Sequence, residues 1–120
     1  MKSYDVDQMR AAFRELDRRA YESLGTFNST SLGIGRYVPG SSPWERHNNG
    51  DELLYIVDGE VDIEVLGGDE PFKTTLRQGA LFVVPRGRWH QLTAHAMVNI
   101  MFSSPGEDGA ERVRERPPST

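Results

Sequence analysis

The stretch W-E-R-H-N-N-G-D-E-L-L-Y-I-V-D-G, residues 44–59, settles how this chain is read, together with G-A-L-F-V-V-P-R-G-R-W-H-Q-L-T-A, residues 79–94. Both break short apolar runs with turn residues, the pattern of brief β-strands rather than helices. In the first, Asn48-Asn49-Gly50-Asp51 is a tight turn between His47 and Glu52. In the second, Pro85-Arg86-Gly87 turns the chain just before a strand that His90 opens. Two strands meeting at so tight a turn can aim His47 and Glu52 at one point. Side chains two apart share a strand face, so Glu52, Leu54 and Ile56 fall together, as do His90, Leu92 and Ala94. Where those faces line an interior, two imidazoles and a carboxylate project into apolar space. Left unpaired they would be costly to bury, and a bound cation offsets that cost. The set suits a divalent transition metal (Fe, Mn, Ni or Zn) with positions left open for substrate.

Toward the N-terminus, residues 5–23 have helical periodicity. Asp5 or Asp7 can cap; Met9, Ala12, Phe13, Leu16 and Ala20 form one face, and Arg10, Arg14, Glu15 and Arg18 the other. The expectation is an amphipathic helix lying on the outside of the rest of the chain. After Leu24-Gly25 the pattern becomes β. Residues 30–38 read as a strand interrupted by Gly33 and Gly35, which suggest a bulge or a close backbone approach. Residues 52–57 and 60–66 flank Asp58-Gly59, a two-residue hairpin signal. Val61, Ile63 and Val65 alternate with Glu60, Asp62 and Glu64, giving one buried and one wet face. Residues 72–76, 80–84, 89–94 and 97–102 complete seven or so strands, the number expected of a sandwich or barrel. From Pro105 the chain is polar and ends in Pro-Pro-Ser-Thr, which reads as a tail. The expected division is therefore a helical segment over 1–28, a barrel over 29–104 and a polar tail over 105–120.

Composition narrows the function. One hundred and twenty residues suit one domain. A net charge of -4, with scattered basic residues, argues against a nucleic-acid partner. With no cysteine there is neither a disulfide nor a thiolate ligand nor a Cys nucleophile. No apolar run approaches the ~20 residues that cross a bilayer, and no basic-then-apolar leader is evident. The expectation is a cytoplasmic protein without a membrane partner. Gly33-Ile34-Gly35 lacks the following helix of a phosphate loop, and no serine stands in a nucleophile elbow.

The two opening stretches resemble the paired motifs of the cupin superfamily, small β-barrels with a metal site inside. The first motif runs Gly, spacer, His-x-His, three or four residues, Glu, six residues, Gly; Gly40, His47, Glu52 and Gly59 fall in register with it. The second runs Gly, five residues, Pro-x-Gly, two residues, His, three residues, Asn; Gly79, Pro85, Gly87 and His90 match. The resemblance spans roughly residues 32–102. It implies an all-β double-stranded β-helix (jelly roll), with the N-terminal helix as an addition. The chain departs from the family in carrying Glu45 for the first His and Ala94 for the final Asn. Glu45 lies two residues before His47 and so faces the same way on a strand. It is a fourth metal ligand, a catalytic base beside the metal, or a surface residue; the sequence leaves all three open.

By this resemblance the chain is a metal-binding single-domain cupin acting on a small metabolite, with dioxygenase-type chemistry as the leading expectation. Isomerase or lyase chemistry, or a barrel that binds a small ligand without catalysis, are the alternatives. A homodimer joined through sheet edges is also expected. Around the core set, Trp44 is a candidate to wall the cavity, and Tyr37 and Arg36 are candidates to contact substrate; Met97 and Met101 are candidates to pad the cavity, with ordinary core packing the favoured reading. Arg86 and Arg88 are candidates to attract an anion at its mouth, with a solvated surface the favoured reading. Trp89 and Tyr55 have the wrong parity for the interior, and His95 reads as a loop residue.

Overall fold

Alternation of large apolar and polar side chains builds the interior strand by strand. Leu54 and Ile56 from one strand meet Val61, Ile63 and Val65 from the next, and all five are buried. The computed structural model describes residues 1–118. Its elements are α1 (Val6–Arg14), β1 (Ala20–Phe27), β2 (Thr30–Tyr37), β3 (Gly40–Ser41), β4 (Trp44–His47) and β5 (Glu52–Asp58). They continue with β6 (Glu60–Val65), β7 (Phe72–Arg77), β8 (Leu81–Val84), β9 (His90–Ala94), β10 (Val98–Ser104) and β11 (Ala110–Val113).

Two antiparallel sheets face each other, in the orders β1-β2-β10-β5-β8 and β11-β4-β9-β6-β7, with β3 pairing β9. This is the expected all-β jelly roll with one short N-terminal helix. The main core lies between the sheets, and each fully buried Ile or Val there contributes about 1.5–3 kcal/mol through removal of apolar surface from water. A smaller cluster of Phe13, Ile34 and Val57 seats α1 on the outer face of the first sheet. Arg10 Nε donates to the Val57 carbonyl at 2.9 Å, and Arg14 pairs with Asp58 at 2.8 Å.

Four expectations are corrected. The helix covers Val6–Arg14 and not 5–23; Asp5 caps it by accepting from the Gln8 amide at 3.0 Å. Buried Arg36 then donates to the carbonyls of Leu16 (2.5 Å) and Arg14 (3.5 Å), supplying partners where the helical ladder stops. Residues 20–27 form β1 because seven of the eight pair with β2, which satisfies a row of backbone groups and outweighs a few more turns of isolated helix. Asp58-Gly59 is not a hairpin. Strands β5 and β6 belong to different sheets, and Gly59, at φ +86° with the Met97 carbonyl 2.9 Å from where a Cβ would lie, turns the corner between them. Finally, the polar segment after Pro105 carries β11, which pairs β4 residue by residue from Ala110↔His47 to Val113↔Trp44. The last two residues of the expected tail, Ser119 and Thr120, lie outside the described residues.

Candidate metal centre

Strand β4 lies between β11 and β9, and a row of side chains crosses all three. Glu45 is opposite Arg112 on one side and opposite His90 on the other. His47, two residues along, shares the inward face of Glu45. Glu52 comes across the interior from the start of β5 in the other sheet. The tight turn over residues 48–51 is what lets the chain pass from one sheet to the other within five residues.

The four side chains converge. His47 Nε2 lies 2.8 Å from Glu45 Oε1 and 3.2 Å from Glu52 Oε2. His90 Nε2 lies 3.2 Å from Glu52 Oε1 and 4.0 Å from Glu45 Oε1. One ligand atom from each of the four lies within 4.8 Å of the others. A first-row ion bound at about 2.0–2.2 Å holds neighbouring ligands about 3.0–3.5 Å apart, so this set fits such an ion with little movement. On its far side, His90 Nδ1 donates to the Arg88 carbonyl at 3.3 Å, leaving Nε2 as the nitrogen offered inward. His47, Glu52 and His90 are buried, and Glu45 is partly exposed.

Electrostatics here follow from crowding. Hydrogen bonds to Glu45 and then to Glu52 raise His47 to about 9, against the opposing effect of burial. Burial alone would raise the Glu52 carboxyl, but hydrogen bonds from His47 and His90 outweigh it and lower the group to about 2. For Glu45, burial again raises and the His47 hydrogen bond lowers, with Arg112 assisting; the net direction is down. Burial, then the charge of Glu52, pushes Tyr37 up to about 12, so its phenol stays protonated.

The cluster stands at one wall of a cavity of roughly 650 Å³. Leu54, Val61, Leu92, Ile100 and Phe102 make it apolar; Tyr37, Ser104, Arg19 and Arg112 add polar groups. Gly33 and Gly35 create room on the inner face of β2. A Cβ at Gly33 would lie 2.7 Å from the Tyr21 ring, and one at Gly35 would lie 2.6 Å from the Tyr37 hydroxyl. The glycines therefore mark close approach by two tyrosines, and Tyr21 also stacks on Phe102 at 5.9 Å.

Several candidates lie elsewhere. Arg36 and Tyr55 face α1, as does Met101. Met97 does not line the cavity. Trp44 is buried beneath Arg116, and Trp89 lies beneath Arg46. Arg86 ties the turn by donating from Nε to the Asn48 carbonyl at 2.6 Å, while Arg88 lies along Gly67. His95 pairs with Asp62 at 2.9 Å on an exposed face. Sequence reasoning missed Arg112, Arg19, Tyr21 and Ser104 in the cavity wall. The alternating Arg–Glu run around Arg112 was visible, but a strand of such charged residues carries no apolar signal.

A jelly roll with histidines and carboxylates gathered inside defines the class. Residues 33–101 match the family model described as "Cupin domain", so the chain belongs to the cupin domain family. It is 29% identical over 73 residues to germin-like protein subfamily 2 member 4 of Arabidopsis thaliana, covering 58% of this chain and 33% of that protein. The chain thus spans about a third of the length of the curated relatives it matches. Among solved structures it is similar to an oxalate oxidase in complex with the substrate analogue glycolate (TM-score 0.64, 20% identity, 84% of this chain and 58% of that one). It is equally similar to a cupin-2 domain containing protein from Shewanella frigidimarina (TM-score 0.64, 20% identity, 82% and 92%). At these identities the solved structures speak for the fold. No helix among the described residues is long and apolar enough to cross a membrane.

Proposed function

We propose that Glu45, His47, Glu52 and His90 hold a divalent transition metal, and that the chain is a metal-dependent enzyme acting on a small oxygen-bearing metabolite. The observation that carries this is the convergence of four ligand side chains within 4.8 Å, three of them buried, at the wall of an apolar cavity. Such an ion, when bound, polarises a substrate oxygen and, if redox-active, supports O2 chemistry. The chain's own part is to hold the ligands, shield the cavity with Leu54, Leu92, Ile100 and Phe102, and present the protonated Tyr37. Dioxygenase-type chemistry is the leading reading, in keeping with the similarity to an oxalate oxidase structure. The neutral Tyr37 phenol in the cavity wall, able to donate a hydrogen bond to a substrate oxygen, suits a second reading, an isomerase or lyase.

Metal content by plasma mass spectrometry, on protein purified without tag or chelator, is the test. We expect about one equivalent of Fe, Mn, Ni or Zn in the wild type and none in His47→Ala/His90→Ala. No metal in the wild type after attempted reconstitution sinks the enzyme reading and leaves a barrel that binds a small ligand without catalysis. With metal present, turnover that consumes O2 selects the oxygenase reading, and anaerobic turnover selects the isomerase or lyase reading. We further infer a homodimer in the cytoplasm, joined along β8. That strand is a sheet edge without a charged residue, with Leu81 and Val83 exposed upon it.

A further inference from the structure

The strand that reaches the candidate metal centre from outside lies beyond the segment matched by the family. The match ends at residue 101, whereas β11 spans Ala110–Val113. Arg112 on that strand is the cross-strand partner of Glu45, and its Nε forms an ion pair with Glu45 Oε2 at 2.5 Å. The other carboxylate oxygen, Oε1, is the one 2.8 Å from His47 Nε2. The two oxygens of Glu45 are thus divided, one held by Arg112 and one turned to the cluster.

We infer that Arg112 makes Glu45 a one-oxygen ligand, and that the C-terminal strand is in this way a working part of the metal site. The inference rests on the metal reading proposed above. A free carboxylate can chelate an ion through both oxygens and so occupy two of its positions. Glu45 stands where the family's first motif carries a histidine, which offers one atom. With its second oxygen held by Arg112, Glu45 offers one atom as well, and the position that chelation would fill stays open to substrate. Arg112 is a positioning residue, acting on the site through Glu45.

The guanidinium is itself held. Nη1 and Nη2 donate to the two oxygens of Glu107 at 2.7 and 3.1 Å, a bidentate grip that fixes the plane of the fork. The strand is fixed by the turn that separates the metal-site residues. Asn48 donates from its backbone N–H (3.1 Å) and from Nδ2 (3.0 Å) to the Gly109 carbonyl, and from Nδ2 to Glu111 at 2.7 Å. Asn49 Nδ2 donates to the Asp108 carbonyl at 2.7 Å. Gly109, at φ +81°, lies so close to Asn49 that a Cβ would meet that side chain at 2.6 Å. The Asn48-Asn49 pair is therefore a dock for β11 as well as a spacer between His47 and Glu52.

Co(II) titration of the full chain tests this, because the intensity of Co(II) visible absorption falls as coordination number rises. Arg112→Gln should bind Co(II) with a weaker visible band than wild type, as Glu45 takes up chelation. In the Glu45→Gln background, adding Arg112→Gln should leave the spectrum unchanged, since the residue through which Arg112 acts is gone. Glu111→Gln, which removes the charge pair with Arg46 but keeps an oxygen to accept from Asn48 Nδ2 and leaves Glu45 untouched, should keep the wild-type spectrum. A wild-type spectrum in Arg112→Gln overturns the inference, as does an equal change in the Glu45→Gln background or in Glu111→Gln. If the wild type itself takes up no Co(II), the metal reading fails and this inference falls with it. If the wild type binds and Arg112→Gln matches it, this inference alone fails.

Discussion

At His47 two carboxylates compete for one imidazole nitrogen, and the metal-free protein resolves the competition with a proton. Hydrogen bonds to Glu45 and Glu52 hold the folded-state value near 9, against about 6.5 for an unfolded histidine. A raised histidine stabilises the fold fully below the unfolded value and loses that stabilisation as pH rises through the folded one. The metal-free protein should therefore lose thermal stability between about pH 6.5 and 9. The metal-loaded protein should not, because a ligating imidazole is already neutral. Melting curves at pH 6.5, 8 and 9.5, with and without metal, check this; a flat metal-free profile would contradict the proton-bridged arrangement. Gly35 offers a second prediction. Its missing side chain is occupied by the Tyr37 hydroxyl, so Gly35→Val should cost about 1–3 kcal/mol by overpacking, measured by urea unfolding.

Single strands and turns show which signals the sequence carried. Strand β6 was legible because alternation of apolar and charged residues leaves one answer for which face is buried, and β5 because a short apolar run stands between turn residues. His47, Glu52 and His90 were legible because ligand types stood beside turn residues at fixed spacing. Strand β1 was not. Met9, Ala12, Phe13, Leu16 and Ala20 fit helical spacing, but only Phe13 among them is buried, and Ala20 packs from a strand. The turn that creates the β1–β2 hairpin is Asn28-Ser29, both at positive φ (49° and 65°), and serine is a weak signal there. That mismatch is measurable. Ser29→Gly relieves a left-handed serine and should stabilise the protein by about 1 kcal/mol, read as a higher urea midpoint at unchanged slope. Strand β11 was illegible for a different reason. Its pairing is held by charge, Glu111 with Arg46 and Arg112 with Glu45, and charged residues in a chain terminus resemble a solvated tail until the partner strand is known.

Across the two sheets together, the open question is how four edges are kept from indiscriminate pairing. Three carry devices against it: β1 has Glu22 and an irregular register between Ser23 and Gly25, β7 has Lys73 and Arg77, and β11 has Glu111 and Arg112. The fourth, β8, reads Leu-Phe-Val-Val. Leu81 is 65% exposed and Val83 51%, with Leu53 beside them on β5. A chain with net charge -4 resists self-association through most of its surface. A two-fold contact sets each strand against its own copy, and the neutral edge of β8 does this without placing like charges together. Antiparallel pairing of β8 with a second β8 would satisfy its free backbone groups and cover Leu81 and Val83 on both copies. Light scattering should give twice the 13.5 kDa chain mass for the wild type. Leu81→Lys/Val83→Lys should give the monomer mass at unchanged far-ultraviolet dichroism, because both side chains already face outward and leave the core intact. A monomeric wild type, or a dimer that survives both lysines, would place the contact elsewhere or remove it.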